Sequence, residues 1–186
     1  VACASRPVTG ARGYPVFELF TQPPDNLAKV LTWLIVGLPV AVSMEFWAQF
    51  LHHRLWHGPL WYFHESHHRD RDGFFELNDI FAVFHASVAV GLILFGCVGP
   101  VGYLREAAYG AGFGMSFFGL SYMVVHDGLV HERLPVAFLE RIPLVRRIAV
   151  AHRAHHRTGA HPYGMFLGPQ EARRVSRRRR QERAAK

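Results

Sequence analysis

Ten histidines fall into four boxes of repeated spacing: His52-x4-His57, His64-x2-His67-His68, His126-x4-His131 and His152-x2-His155-His156. They account for ten of the thirteen histidines, and with His53 the stretch from His52 to His68 places six of them in seventeen residues. Ordinary core packing has no use for that density, whereas neutral imidazole is the commonest metal ligand in proteins. A structural zinc takes four ligands, so ten imidazoles serve two ions with about five each, water completing the shells. Neutral ligands leave such a binuclear site strongly cationic and receptive to oxygen-derived anions. Spacing alone admits zinc, copper, iron or nickel.

The elements that must position these rings follow from helix geometry. Residues i, i+3 and i+4 share one helix face, so His64, His67 and His68 are expected to aim at one point. The same holds for His152, His155 and His156 on an amphipathic helix predicted over Leu144 to Arg157. The five-residue spacing is harder to satisfy. His52 and His57 stand about 140° apart on an ideal α-helix, and they share a site only if a fraying helix end reorients one of them. Gly58 and Pro59 suit an end and a fresh start. A second helix then runs from Leu60 to His68 and stops at the loop Arg69 to Gly73.

Leading into the first box, Leu27 to Leu51 is apolar apart from Lys29, Thr32, Ser43, Glu45 and Gln49. That length crosses a hydrocarbon core of about 30 Å, with Pro39 as a candidate kink. Glu45, an ionisable residue inside a span, is either functional or paired locally. Ile80 to Gly99 and Ala107 to Val125 are the second and third spans. Gly110, Gly112, Gly114 and Gly119 in the third read as close helix contacts; they do not form a phosphate loop, since no strand precedes them and no Lys follows.

Three spans bring all four boxes to the same membrane face. Outside the C-terminal tail that face carries nine Arg, against Arg6, Arg12, Lys29 and Arg105 opposite, so the positive-inside rule turns the site toward cytosol or stroma. Val136, Phe138, Leu139, Ile142 and Leu144 place their segment partly in the interface, and Tyr163 to Pro169 suits a lid. The predicted fold is all-α: an integral membrane helical bundle of three transmembrane helices with a histidine-box di-metal cap on one face.

The order of the boxes, with Phe75-Glu76-Leu77-Asn78-Asp79, His126-Asp127-Gly128-Leu129-Val130-His131 and Pro162-Tyr163-Gly164-Met165-Phe166-Leu167-Gly168-Pro169, resembles the non-haem di-iron β-carotene hydroxylases. The likeness is nearest to their plant and algal plastid type, and runs from about residue 44 to 170. It implies two irons held by His52, His57, His64, His67, His68, His126, His131, His152, His155 and His156. It also implies O2 as co-substrate, electrons from ferredoxin or a similar donor, and C3 hydroxylation of β-carotene through β-cryptoxanthin to zeaxanthin in a chloroplast membrane, with the site facing the stroma. Asn78 and Asp127 are candidates to orient ligand rings, which donate their second N–H to carbonyls or carboxylates, or else to cap local turns. His53, His85 and His161 lie outside the pattern and are expected to be hydrogen-bonded or exposed bystanders.

Two features depart from that family: plant members carry a further apolar segment upstream that residues 1–26 do not contain, and the Arg-rich end is foreign to it. Carotenoid ketolases, fatty-acid hydroxylases and desaturases share histidine boxes, but the phrases around Asn78 and Asp127 favour the carotenoid hydroxylases. A membrane metal carrier or storage protein would need ligand residues along its spans, and the middle of the third has almost none.

Composition agrees with a membrane protein of one domain, since half of the 186 residues are hydrophobic and charge is confined to short stretches. The net charge of +7 arises mainly from residues 171–186, so it argues for no nucleic-acid partner. Residues 1–26 read as an irregular lead-in, compatible with a transit-peptide remnant. Residues 27–170 form the membrane hydroxylase domain. Residues 171–186 form a basic tail, expected to be disordered in solvent or to rest on anionic lipid headgroups. Cys3 and Cys97 are read as free thiols.

Overall fold

The computed structural model describes residues 24–69 and 73–185. Cys3 and the lead-in up to residue 23 lie outside the described residues, as does the middle of the loop after His68. Among the described residues every regular element is helical. Three helical stretches are long and apolar enough to cross a membrane: Asn26–Trp56, Asp79–Val98 and Tyr103–Val130.

Helix α1, Asn26–Leu51, starts where the Asp25 carboxylate accepts the Ala28 N–H at 2.7 Å, which satisfies one of the orphan amides of a first turn. It runs unbroken through Pro39. Two short turns follow, the α-helical α2, Trp61–His64, and a 3₁₀ turn, Glu65–His68. Helix α3, Asp79–Val98, and helix α4, Tyr103–Met123, complete the spans. Helix α4 is the central one, with α1 and α3 each packed along it. Most apolar side chains of α1 and α3 face outward, as with Ile35 at 69% and Val83 at 62% exposure, which is what lipid-facing helices require.

Glycine sets the closeness of that packing. A Cβ on Gly110 would lie 2.8 Å from the Trp33 backbone, one on Gly112 would lie 2.8 Å from the Ala89 carbonyl, and one on Gly114 would overlap the Gly37 carbonyl. Gly119 differs: among the described residues nothing lies within 4 Å of a Cβ there, so it makes no such contact with them. At the end away from the histidines, the buried Glu106 accepts from Trp33 Nε1 at 2.8 Å and pairs with Arg105 at 2.9 Å.

The cap is built from helix α5, Pro143–Thr158, a 3₁₀ turn at Ala137–Arg141, and helix α6, Gly168–Ala184. Val125, Ile148 and Met165 form its small apolar core, with Tyr122, Val130, Val145 and Phe166 around them. Helix α6 corrects the expectation of a disordered tail. Its Arg run has high helix propensity, Pro169 and Glu171 occupy a first turn that favours both residues, and Arg178 pairs with Glu182 one turn on at 3.0 Å.

Candidate metal centre

Each H-x4-H box sits on a π-helical segment: His52–Trp56 continues α1, and Val124–Val130 continues α4. The backbone closes i→i+5 bonds there, His57 N–H to the His52 carbonyl at 3.0 Å and His131 N–H to the His126 carbonyl at 3.0 Å. This widened turn brings residues five apart nearly over one another, as no α-helix can. A single wide turn of this kind is frequent at functional sites. The expected fraying end is thus a defined π turn, and it occurs twice.

The ten box histidines assemble into two groups of five. One is His52, His57, His64, His68 and His155; the other is His67, His126, His131, His152 and His156; within each, the ligand atoms all lie within 4.8 Å of one another. The expectation that His64, His67 and His68 converge on one point is corrected here. His64 and His68 join the first group while His67 joins the second, and on α5 His155 separates from His152 and His156 in the mirror sense. On α5, residues i and i+4 are about 40° apart and i+3 falls on the other side of i, so His152 and His156 can face one centre and His155 another; the His64 box, which passes from α2 into the 3₁₀ turn Glu65–His68, is divided between the same two centres. Each cage therefore takes both rings of one H-x4-H box, two from one H-x2-H-H box and one from the other.

Ring protonation shows what the cages suit. His67 Nδ1 lies 3.0 Å from Glu76 Oε2, and His126 Nδ1 lies 2.7 Å from Asp127 Oδ1. A carboxylate only accepts, so both Nδ1 atoms carry the proton, and in the neutral rings both Nε2 atoms are bare lone pairs. Those Nε2 atoms face each other at 2.9 Å, an arrangement that repels unless a cation sits between them. The first cage repeats the pattern with neutral acceptors: His52 Nδ1 donates to the Tyr163 carbonyl at 2.9 Å, His64 Nδ1 to Asn78 Oδ1 at 2.7 Å, and His155 Nδ1 to the Ala160 carbonyl at 2.7 Å. Among the described residues, His52 Nε2 is buried without a hydrogen-bond partner. Nitrogens about 2.1 Å from one ion and at right angles are about 3.0 Å apart, close to the 3.1 Å between His57 and His155 and between His152 and His156. The donor set fits two transition-metal ions.

Outside the spans, burial lowers the titration of His57, His64, His67, His68, His152, His155 and His156. It brings His57 to about 4, His64 to about 3 and His155 to about 4, with neighbouring imidazoles adding to the effect. The bonds to Asn78 and Ala160 oppose it at His64 and His155. These rings are therefore neutral near pH 7, the state in which imidazole ligates.

Asn78 and Asp127 both accept from rings of the box histidines, His64 and His126, at 2.7 Å. Sequence reasoning missed Glu76, which does the same for His67, and Arg133, which ties this side together. The Arg133 guanidinium forks onto Asp79 at 2.9 and 3.0 Å, donates to the Phe74 carbonyl, and lies 3.7 Å from Glu76 and 3.9 Å from Asp127. Glu76 stood within the quoted Phe75 to Asp79 phrase, and the rule that ligating rings seek carboxylates could have found it.

Tyr163 to Leu167 closes over the first cage. The Tyr163 ring lies 5.1 to 5.6 Å from the rings of His52, His57 and His155. Its backbone is held by two carboxylates from separate helices. Glu171 accepts the Tyr163 and Gly164 N–H groups at 3.0 and 2.9 Å and bonds Gln49 at 2.8 Å, while Glu45 accepts the Leu167 N–H at 2.8 Å. Glu45 is thus a buried anchor for the covering loop. Gly159, in the left-handed region at φ 63°, turns the chain after α5 so that Ala160 can reach back to His155.

The three remaining histidines stand outside both cages. His53 stacks on Tyr163 at 4.3 Å, and His161 pairs with Glu171. His85 donates to the Phe81 carbonyl at 2.7 Å and accepts from Trp47 at 3.2 Å.

All-helical spans ending in paired histidine cages define a membrane protein of the histidine-box class. Residues 37–170 match the Fatty acid hydroxylase family, and the chain belongs to that family. It is 47% identical over 142 residues to beta-carotene 3-hydroxylase 2, chloroplastic, of Arabidopsis thaliana, covering 75% of this chain and 46% of that protein. Over 157 residues it is 44% identical to the chloroplastic beta-carotene 3-hydroxylase of Haematococcus lacustris, covering 82% of this chain and 48% of that protein. Over 125 residues it is 47% identical to the beta-carotene hydroxylase of Pseudescherichia vulneris, covering 66% of each. The chain spans about half the length of its plant and algal relatives. No solved structure matches it significantly.

Proposed function

We propose that this chain hydroxylates β-ring carotenoids at C3 with O2, taking β-carotene through β-cryptoxanthin to zeaxanthin, at two irons held one in each histidine cage. The observation that carries the reading is the pair of five-imidazole cages at the ends of membrane spans, with lone pairs turned inward. The relatives' names supply the substrate class. Two bound irons would supply the redox chemistry that activates O2 toward a C–H bond, which zinc lacks.

In this reading His52, His57, His64, His68 and His155 hold one ion, and His67, His126, His131, His152 and His156 the other. Glu76, Asn78, Asp127 and the carbonyls of Tyr163 and Ala160 keep Nδ1 protonated in their rings and aim Nε2 inward. The covering loop shields the first cage from water. A C40 hydrocarbon reaches the membrane face by lateral diffusion, so the enzyme needs no aqueous route for it. By the excess of Arg on the cap, the site faces the stroma of a plastid membrane, where ferredoxin or a similar donor supplies electrons.

Expression in cells that accumulate β-carotene, followed by pigment analysis, tests the proposal. Hydroxylated rings are the expected product. Keto products would indicate a ketolase, and unchanged β-carotene with intact, metal-loaded protein would remove the hydroxylase reading.

A further inference from the structure

The two cages share a ligand set but differ in what stands behind it. In the second, two rings donate to carboxylates: His67 to Glu76 at 3.0 Å and His126 to Asp127 at 2.7 Å. In the first, three rings donate to neutral oxygens, those of Asn78, Tyr163 and Ala160. Among the described residues the two carboxylates that hold the loop over that cage are engaged elsewhere: Glu171 bonds the amides of Tyr163 and Gly164 together with Gln49 and His161, and Glu45 bonds the amide of Leu167.

An anionic acceptor on Nδ1–H pushes electron density toward Nε2 and makes it a stronger donor to a metal than a neutral acceptor does. It also offsets part of the charge of a divalent ion placed in a buried cage. Arg133 keeps this from becoming an unbalanced cluster of acids. Its two-pronged bond to Asp79 fixes the guanidinium beside both Glu76 and Asp127, so the carboxylates stay in place against their rings.

We propose that the two metal centres are unequal: the carboxylate-backed cage of His67, His126, His131, His152 and His156 binds its ion more tightly and loads first, with Arg133 as the positioning residue. This rests on the two-metal reading above and adds an order of occupancy to it. Outer partners of ligating histidines are each worth about 10- to 100-fold in metal affinity; both cages have them, so the charge on the partners is what separates the two binding steps, by about 10-fold.

The test is a titration of the metal-stripped full chain, in detergent or nanodiscs, with cobalt(II), read by its ligand-field absorption. Wild type should fill in two steps, the tighter one missing in His156→Ala and the weaker one missing in His68→Ala. Glu76→Gln with Asp127→Asn keeps both hydrogen-bond acceptors but removes their charge, and should weaken the tight step alone. Arg133→Gln should do the same. Asn78→Asp gives the first cage an anionic partner and should tighten the weaker step, a gain that a misfolded variant cannot produce. Two equal steps in wild type, or charge-removing changes that weaken both cages alike, would overturn the inequality while leaving two metals. Failure of intact wild type to bind cobalt at either cage would overturn the two-metal reading itself.

Discussion

The division of a single H-x2-H-H box between two centres can be tested by removing its histidines in pairs. His64 and His68 belong to the first cage and His67 to the second. A four-ligand zinc site is worth about 10–16 kcal/mol in all, so one ligand is worth about 3 kcal/mol, or about 100-fold in affinity. His64→Ala with His68→Ala takes two ligands from one cage, weakening it by about 10⁴-fold and leaving the other whole. His64→Ala with His67→Ala takes one ligand from each, weakening both by about 100-fold. Dialysis is set against a chelator that leaves two metals on wild type but strips any site more than a few-fold weaker than the weaker of the two wild-type cages. Metal analysis should then find one ion per chain in the first double variant and none in the second. The assay reads stoichiometry, so it is independent of catalysis. Equal metal content in the two folded variants would refute the division and restore a single convergence point for the box.

Helix packing predicts opposite outcomes for two glycines of α4. Gly114→Ala places a methyl group against the Gly37 backbone carbonyl, which cannot rotate away, and should destabilise the bundle by about 1–3 kcal/mol in unfolding assays. Gly119→Ala meets open space and should be neutral, or stabilising by up to about 1 kcal/mol from helix propensity. For acid stability, the buried rings titrate at about 3 to 4 at His57, His64 and His155, against about 6.5 in the unfolded chain. Between those values the unfolded chain binds more protons, so the metal-free fold should be fully stable above about pH 6.5 and lose stability as pH falls toward 4. Thermal melts of stripped protein that rise on acidification would contradict this. Glu171→Ala leaves the Tyr163 and Gly164 N–H groups without their acceptor, a loss of about 1–3 kcal/mol that should appear as faster proteolysis within residues 160–168.

The spans were legible because about 20 apolar residues in a row have few other uses, and the boxes because ten histidines at repeated spacing have few as well. The pairing within the boxes was not. Reading His52 and His57 on an α-helix put them on different faces, since an ideal 3.6-residue turn carries no hint that the backbone will widen at that point. The same regularity made His64, His67 and His68 look convergent, when they straddle a change from α-helix to 3₁₀ turn and face separate cages. Arg133 escaped notice because its role is tertiary: Asp79 is 54 positions away. Helix α6 was hidden by its charge. An Arg-rich run suggests a solvated chain, while its helix rests on local propensity and on Glu171, anchored against α1 and the covering loop.

The proposed oxygenation of a carotenoid ring requires redox-active iron in the two histidine cages. Its most direct test is to strip the purified protein of metal, reconstitute it separately with ferrous iron and with zinc, and supply a β-ring carotenoid, O2 and a reductant. With iron, about two ions per chain should bind and C3-hydroxylated product should form with consumption of O2. With zinc, which stands above iron in the divalent affinity order, the cages should fill and no product should form. Equal turnover with zinc, or hydroxylated product without O2 consumption, would rule out iron-dependent oxygenation at these cages.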